Sequence, residues 1–177
     1  MTKQKGIRPA IISDGTKVFK KFTDEYITHD YGLFIFAPSG SGKTHFVKNQ
    51  KEKHWIDGDD LWMDTGAAPT DIKWWTMGLD IITEVDIRSD LITMYAKKLG
   101  LWVIGASQYW LPPDAIFIPD WETHKKYIGA REKGDYDGGA TTSDYDQVLG
   151  HISYMKKLAK RENMFSGGVT MRMARYN

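Results

Sequence analysis

Leu33-Phe34-Ile35-Phe36 is an unbroken apolar run that stops against Ala37-Pro38-Ser39-Gly40-Ser41-Gly42 and gives way to Lys43 and Thr44. Four apolar residues with no polar alternation suit a strand buried on both faces. Pro, Gly and Ser in close succession end it, and the spacing beyond predicts a helix from near Lys43 toward Lys51. A strand covered on both sides needs layers above and below it. The chain is therefore expected to be α/β, with helices on both faces of a central parallel sheet.

The remaining pattern agrees with that expectation. Trp55-Ile56 reads as a second, short strand ending at Asp57. Leu79–Leu99 reads as a long amphipathic helix with Ile82, Val85, Ile92, Tyr95, Ala96 and Leu99 on its buried face, Asp80, Glu84, Asp90 and Lys97 elsewhere, and Gly100 as its stop. Leu101–Ile104 and Ala115–Ile118 are expected to be strands three and four. A helix should follow over about Trp121–Arg131, capped by Asp120. Glu132–Thr142, rich in Gly and Asp, reads as a loop. Ser143 is expected to cap a last helix, with Asp146 completing a variant capping box, and Gly167–Met173 has room for one more strand. Residues 1–30 read as an N-terminal extension, with Phe19, Phe22 and Tyr26 at roughly helical spacing, and residues 31–177 as the main domain.

Composition narrows the class. The chain has 177 residues, a formal net charge of +1 and no cysteine. That length suits one domain with a sizeable core. Disulfides and thiolate metal sites are excluded. No global basic field draws the chain to nucleic acid or membrane. With no long apolar run and no signal-like start, a cytoplasmic protein is expected. The five histidines lack metal-ligand spacing and read as surface or capping residues.

Ala37-Pro38-Ser39-Gly40-Ser41-Gly42-Lys43-Thr44 fits the Walker A pattern, with Ala where Gly is more usual. Gly40 and Gly42 permit the backbone angles that turn successive N–H groups toward a phosphate. The helix start adds partial positive charge. Lys43 is placed to reach β- and γ-phosphates, and the Thr44 hydroxyl to ligate Mg²⁺. The expected cofactors are ATP and Mg²⁺. The bland alternative is a Gly/Ser turn carrying a surface lysine.

Asp57-Gly58-Asp59-Asp60 follows the second strand, at the sheet edge where ligands of open parallel sheets bind. Here the chain resembles the small P-loop kinases: gluconate and shikimate kinases, adenylyl-sulfate kinase, polynucleotide 5′-kinases, and phage nucleotide and DNA-base kinases. The resemblance covers roughly residues 31–160 and implies a three-layer P-loop NTPase fold with a lid at about 132–143. It implies Asp59 as the base or orienter of the acceptor hydroxyl, with Asp60 the alternative, and Asp57 near Mg²⁺ through water. It also implies Arg131 as a lid arginine closing on the phosphates, with Lys125 and Lys126 weaker candidates. Trp62, Trp74 and Trp75 fall where such kinases hold the acceptor, and a base could stack there. Ser107 and Gln108, after the third strand, are further substrate candidates.

One departure is informative. The third strand ends without the usual Walker B Asp, which argues against a motor ATPase or GTPase. The expected activity is transfer of the γ-phosphate to a nucleotide or to the hydroxymethyl group of a modified pyrimidine in phage DNA, in the host cytoplasm. The alternatives are a P-loop ATPase acting as a switch or assembly factor, and a kinase of a small sugar-like metabolite. The oligomeric state is open.

Overall fold

The computed structural model describes residues 15–70, 73–134 and 139–162. Its centre is a four-stranded, all-parallel sheet in the order β2-β3-β1-β4, built from β1 (Leu33–Phe36), β2 (Trp55–Asp57), β3 (Trp102–Gly105) and β4 (Ala115–Ile116). β1 lies between β3 and β4, with Phe36 beside Gly105 on one side and Ile116 on the other. β2 pairs with the outer side of β3.

Side chains alternate across this sheet as the pleat requires. Phe34, Phe36, Ile56, Val103 and Ile116 join the larger core cluster. Leu33, Ile35, Trp55, Trp102, Ile104 and Ala115 form a second cluster on the opposite face. The larger cluster is completed from α1 (Gly15–Glu25), α3 (Gly58–Asp64), α4 (Leu79–Lys98) and α6 (Tyr145–Arg161). On the other face, Val47 of α2 (Lys43–Asn49) packs against the second cluster. The apolar run at 33–36 is thus buried on both faces, as its composition predicts. A third cluster joins Ile128 of α5 (Trp121–Lys133) to Ala140, Val148 and Ile152, and so ties α5 to α6.

Several local expectations change. Phe19 and Phe22, in the segment set apart as an N-terminal extension, are 3% and 2% exposed within the main core. The fourth strand is only two residues long, although the Phe117 N–H still donates to the Phe36 carbonyl. The cap expected at Ser143 is Thr141, whose hydroxyl and amide both bond the Asp144 carboxylate at the start of a 3-10 turn leading into α6. Asp90 is fully buried, because its carboxylate collects the N–H groups of Tyr109, Trp110 and Leu111 and pins the loop after β3. The strand suggested at Gly167–Met173 lies outside the described residues. Among the described residues, no helix is long and apolar enough to cross a membrane.

Candidate active site

Past β1 the ladder runs on for one residue, the Ala37 N–H donating to the Gly105 carbonyl at 2.9 Å. The chain then turns tightly, with Ser41 N–H on the Pro38 carbonyl. Gly40 and Gly42 take φ of 75° and 92°, conformations that cost an L side chain about 1–2 kcal/mol. A Cβ at Gly40 would also stand 2.5 Å from Cγ1 of Ile128. Lys43 arches back over the loop, 8% exposed, its Nζ donating to the Pro38 carbonyl at 2.7 Å. Buried beneath, the Ser41 hydroxyl has no hydrogen-bond partner among the described residues.

Thr44 Oγ1 donates to Asp57 Oδ2 at 2.9 Å, so the ends of β1 and β2 meet through a hydroxyl–carboxylate pair. Asp57 Oδ1 accepts the Asp59 N–H and caps α3, which fixes the carboxylate's orientation. Among the described residues no group of three or more His, Cys, Asp or Glu side chains is arranged to hold a metal. Mg²⁺ does not need one, since it keeps several waters and takes phosphate oxygens beside one or two protein oxygens. The cradle at Gly40–Gly42, the orphaned Ser41 hydroxyl, Lys43 and the Thr44–Asp57 pair fit a Mg²⁺-bound polyphosphate.

Ser39 is where α5 and the segment before α6 fasten onto this loop. Its Oγ accepts the Ala140 N–H at 3.2 Å and lies 3.5 Å from the Arg131 guanidinium, which also donates to the Ala140 carbonyl. His124 Nε2 donates to the Ser39 carbonyl at 2.7 Å. His124 is fully buried, against the expectation of surface or capping histidines, because the loop carbonyl needs an internal donor. Burial holds its imidazole below the usual range, with help from the charges of Lys43 and Arg131 and against the pull of the carbonyl bond. His151 of α6 faces the same loop. Burial pushes it down to about 4, and Lys43 adds to the shift.

The loop opens onto a cleft of about 1470 Å³ that extends along α4 to Trp74 and Trp75. Single small-molecule pockets hold roughly 300–1,000 Å³, so this one has room for a donor and an acceptor together. Asp59 and Arg131 line it. So does Asp86 of α4, whose Oδ1 accepts the Ser107 hydroxyl at 2.5 Å. Burial raises the Asp86 carboxyl to about 7, the Ser107 bond opposing and Asp90 adding to the rise.

Asp86 and His151 have opposite effects on stability. From about pH 4 to about pH 7, folded Asp86 holds a proton that the unfolded chain has released, so its contribution falls as pH rises. Neutral His151 does the reverse between about 4 and its unfolded value near 6.5. Asp86→Asn is expected to remove the first term. Its stability relative to the parent should then grow by about 2 kcal/mol between pH 4.5 and pH 7.5, half the unscreened value for a shift of about three units. Urea titrations at the two pH values measure it, and an unchanging difference would contradict the raised carboxyl.

The other expected site residues divide. Trp74 and Trp75 line the cleft. Trp62 does not reach it: 1% exposed, its indole lies across Gly58 and Gly105 and donates to Thr93 Oγ1 at 2.9 Å. Gln108 is buried and occupied, donating to the Leu111 carbonyl and accepting from the Tyr154 hydroxyl. Ser107 is buried and serves Asp86. Asp60 is exposed on α3, outside the residues lining the cleft. Lys125 pairs with Glu122 on the outside of α5, and Asp120 caps that helix through the Thr123 N–H as expected. Of the expected lid, 135–138 lie outside the described residues. No family model, curated protein or solved structure matches this chain.

Sequence reasoning missed Asp86, His124 and His151. For Asp86 a signal existed. It follows Ile82 by four residues and precedes Asp90 by four, which puts two carboxylates on a stripe whose isoleucine was expected on the buried face.

Proposed function

We propose that the protein is an ATP-dependent phosphotransferase of the P-loop type, with a nucleotide or a modified pyrimidine of DNA as acceptor. The observation that carries the reading is the loop itself: a glycine cradle at positive φ, a buried Lys43 folded over it, and Thr44 joined to Asp57 at its far end. Backbone N–H groups of Ser39–Thr44 and the Lys43 ammonium hold the polyphosphate. Thr44 and Asp57 are the protein oxygens for Mg²⁺, which when bound neutralises charge on the phosphates. Arg131, anchored at Ser39 and Ala140, supplies positive charge beside the same loop.

Asp59 is the acceptor-side carboxylate nearest in sequence to this pair, exposed within the cleft. In its role the acceptor oxygen bonds to the γ-phosphorus as the bond to the leaving ADP oxygen breaks, and the acceptor proton passes to Asp59. Phosphoryl transfer asks little of a base, so Asp59→Asn is expected to slow transfer about 100-fold and leave binding of a non-hydrolysable ATP analogue within about twofold. The test is transfer of label from γ-labelled ATP to nucleosides, nucleotides, hydroxymethylated DNA and sugar acids. Labelling of a sugar acid alone would remove the nucleic-acid acceptor. Loss of analogue binding in Asp59→Asn would remove the role given to that residue.

A further inference from the structure

The α4 side of the cleft is built differently from the phosphate loop. Trp74 and Trp75 stand edge to face, their ring centroids 5.7 Å apart at 84°. They sit on a 3-10 turn that packs against α4. Both are half-buried and line the cleft with Met63, Ile82 and Asp86. Two indoles, a thioether and an aliphatic chain thus share this wall with one carboxyl. Its Oδ1 accepts the Ser107 hydroxyl and keeps a second lone pair, and its Oδ2 has no partner among the described residues. A half-buried carboxyl with one oxygen held and the other left open is a specificity element awaiting a ligand group.

We propose that this wall is the acceptor subsite, and that Asp86 reads a nucleobase there by pairing with a ring edge on which an N–H donor adjoins an acceptor, the ring face lying on Trp74 or Trp75. The proposal rests on the phosphotransferase reading above. The Ser107 hydroxyl makes Oδ1 the acceptor oxygen and leaves Oδ2 to carry the proton when the group is neutral. A neutral carboxyl then presents one donor and one acceptor side by side, the complement of a lactam or amidine edge. Two groups act on it, the Ser107 hydroxyl from the loop after β3 and Asp90 one turn further along α4, and the two carboxylates in turn raise the Tyr154 phenol of α6. Asp90 is fully buried, its Oδ2 held by three backbone N–H groups, so Asp86 is the member of the pair that lines the cleft. Burial brings Asp86 to about 7, and the neutral form is therefore populated at and below neutral pH.

The experiment is calorimetric titration of the full chain, in Mg²⁺ and a non-hydrolysable ATP analogue, with 5-hydroxymethyl-2′-deoxyuridine 5′-monophosphate, its N3-methyl derivative and gluconate. N3-methylation is expected to weaken binding about tenfold or more, the value of one well-made buried hydrogen bond. Asp86→Leu should weaken the parent nucleotide by the same factor and leave the N3-methyl compound little changed. Asp86→Asn should bind the parent within about threefold, because a carboxamide offers the same donor and acceptor. Raising the pH from 6 to 8.5 should weaken the wild type and leave Asp86→Asn flat. Equal losses for both nucleotides in Asp86→Leu, Asp86→Asn as weak as Asp86→Leu, or gluconate binding without nucleotide binding would each overturn the proposal. The ATP analogue titrated alone separates the two levels. If it binds while no nucleobase preference is found, only the role of Asp86 fails; if it does not bind, the phosphotransferase reading fails with it.

Discussion

Lys43→Met is expected to lower the rate of phosphoryl transfer by about 1,000-fold, roughly 4 kcal/mol of transition-state stabilisation, while the chain stays folded. Methionine keeps most of the stem's apolar contact and removes the ammonium. The buried hydrogen bond to the Pro38 carbonyl is lost with it, at a cost of about 1–3 kcal/mol. What water cannot replace is a fixed positive charge at the loop, already oriented before any phosphate arrives. Such preorganisation is the main service a protein gives to phosphoryl transfer. The substitution also has a readout independent of activity. Lys43 depresses both His124 and His151. In Lys43→Met, the His151 imidazole should titrate above its starting value of about 4, as followed by NMR. A large fall in rate with no movement of His151 would mean that Lys43 does not sit over the loop in solution. Unchanged transfer would end the phosphotransferase reading.

How much of this was legible in the chain depends on the range of the interaction. The turn after β1 was readable because its shape is carried by consecutive residues, and Gly40 and Gly42 are the local residues that let the backbone turn. The β1 run was readable for a similar reason: burial on both faces imprints directly on four adjacent residues. Asp57 was legible as a carboxylate at the sheet edge. Its bond to Thr44, thirteen positions away, is set by the pairing of β2 onto β3, and no local pattern contains that. His124, fully buried, is the extreme case. His124 lies 85 positions from the carbonyl it serves, so its role exists only once α5 has folded against the loop. Asp90 reads as a polar residue on an exposed face until one sees the three amides that it collects from another segment.

Trp62 shows the opposite error, a chemically attractive residue claimed for the site that belongs to the interior, and Trp62→Ala is expected to cost about 3–5 kcal/mol. The indole is 1% exposed, satisfied at Nε1 by Thr93, and seated where Gly58 and Gly105 lack side chains. Gly58 opens α3 directly after Asp57 and Gly105 ends β3 beside Phe36, so the ring packs beneath the ends of β2 and β3. Truncation leaves a void lined by backbone on two sides, which neighbouring side chains cannot easily fill. For a chain of this size each kcal/mol shifts Tm by about 2–4 °C, so a drop of roughly 10–15 °C is expected. Trp62→Phe keeps a flat ring and leaves the Thr93 hydroxyl bonded to the Ser89 carbonyl, so its cost should be about 1–2 kcal/mol. Calorimetry and acceptor kinetics together decide between the interior role and the substrate contact. An interior Trp62 predicts the large loss of Tm in Trp62→Ala and an unchanged acceptor KM in Trp62→Phe, whereas Trp74→Ala, at the cleft, should raise that KM with little change in Tm. A Trp62→Ala variant that melts with the parent would show that the indole is not packed across Gly58 and Gly105.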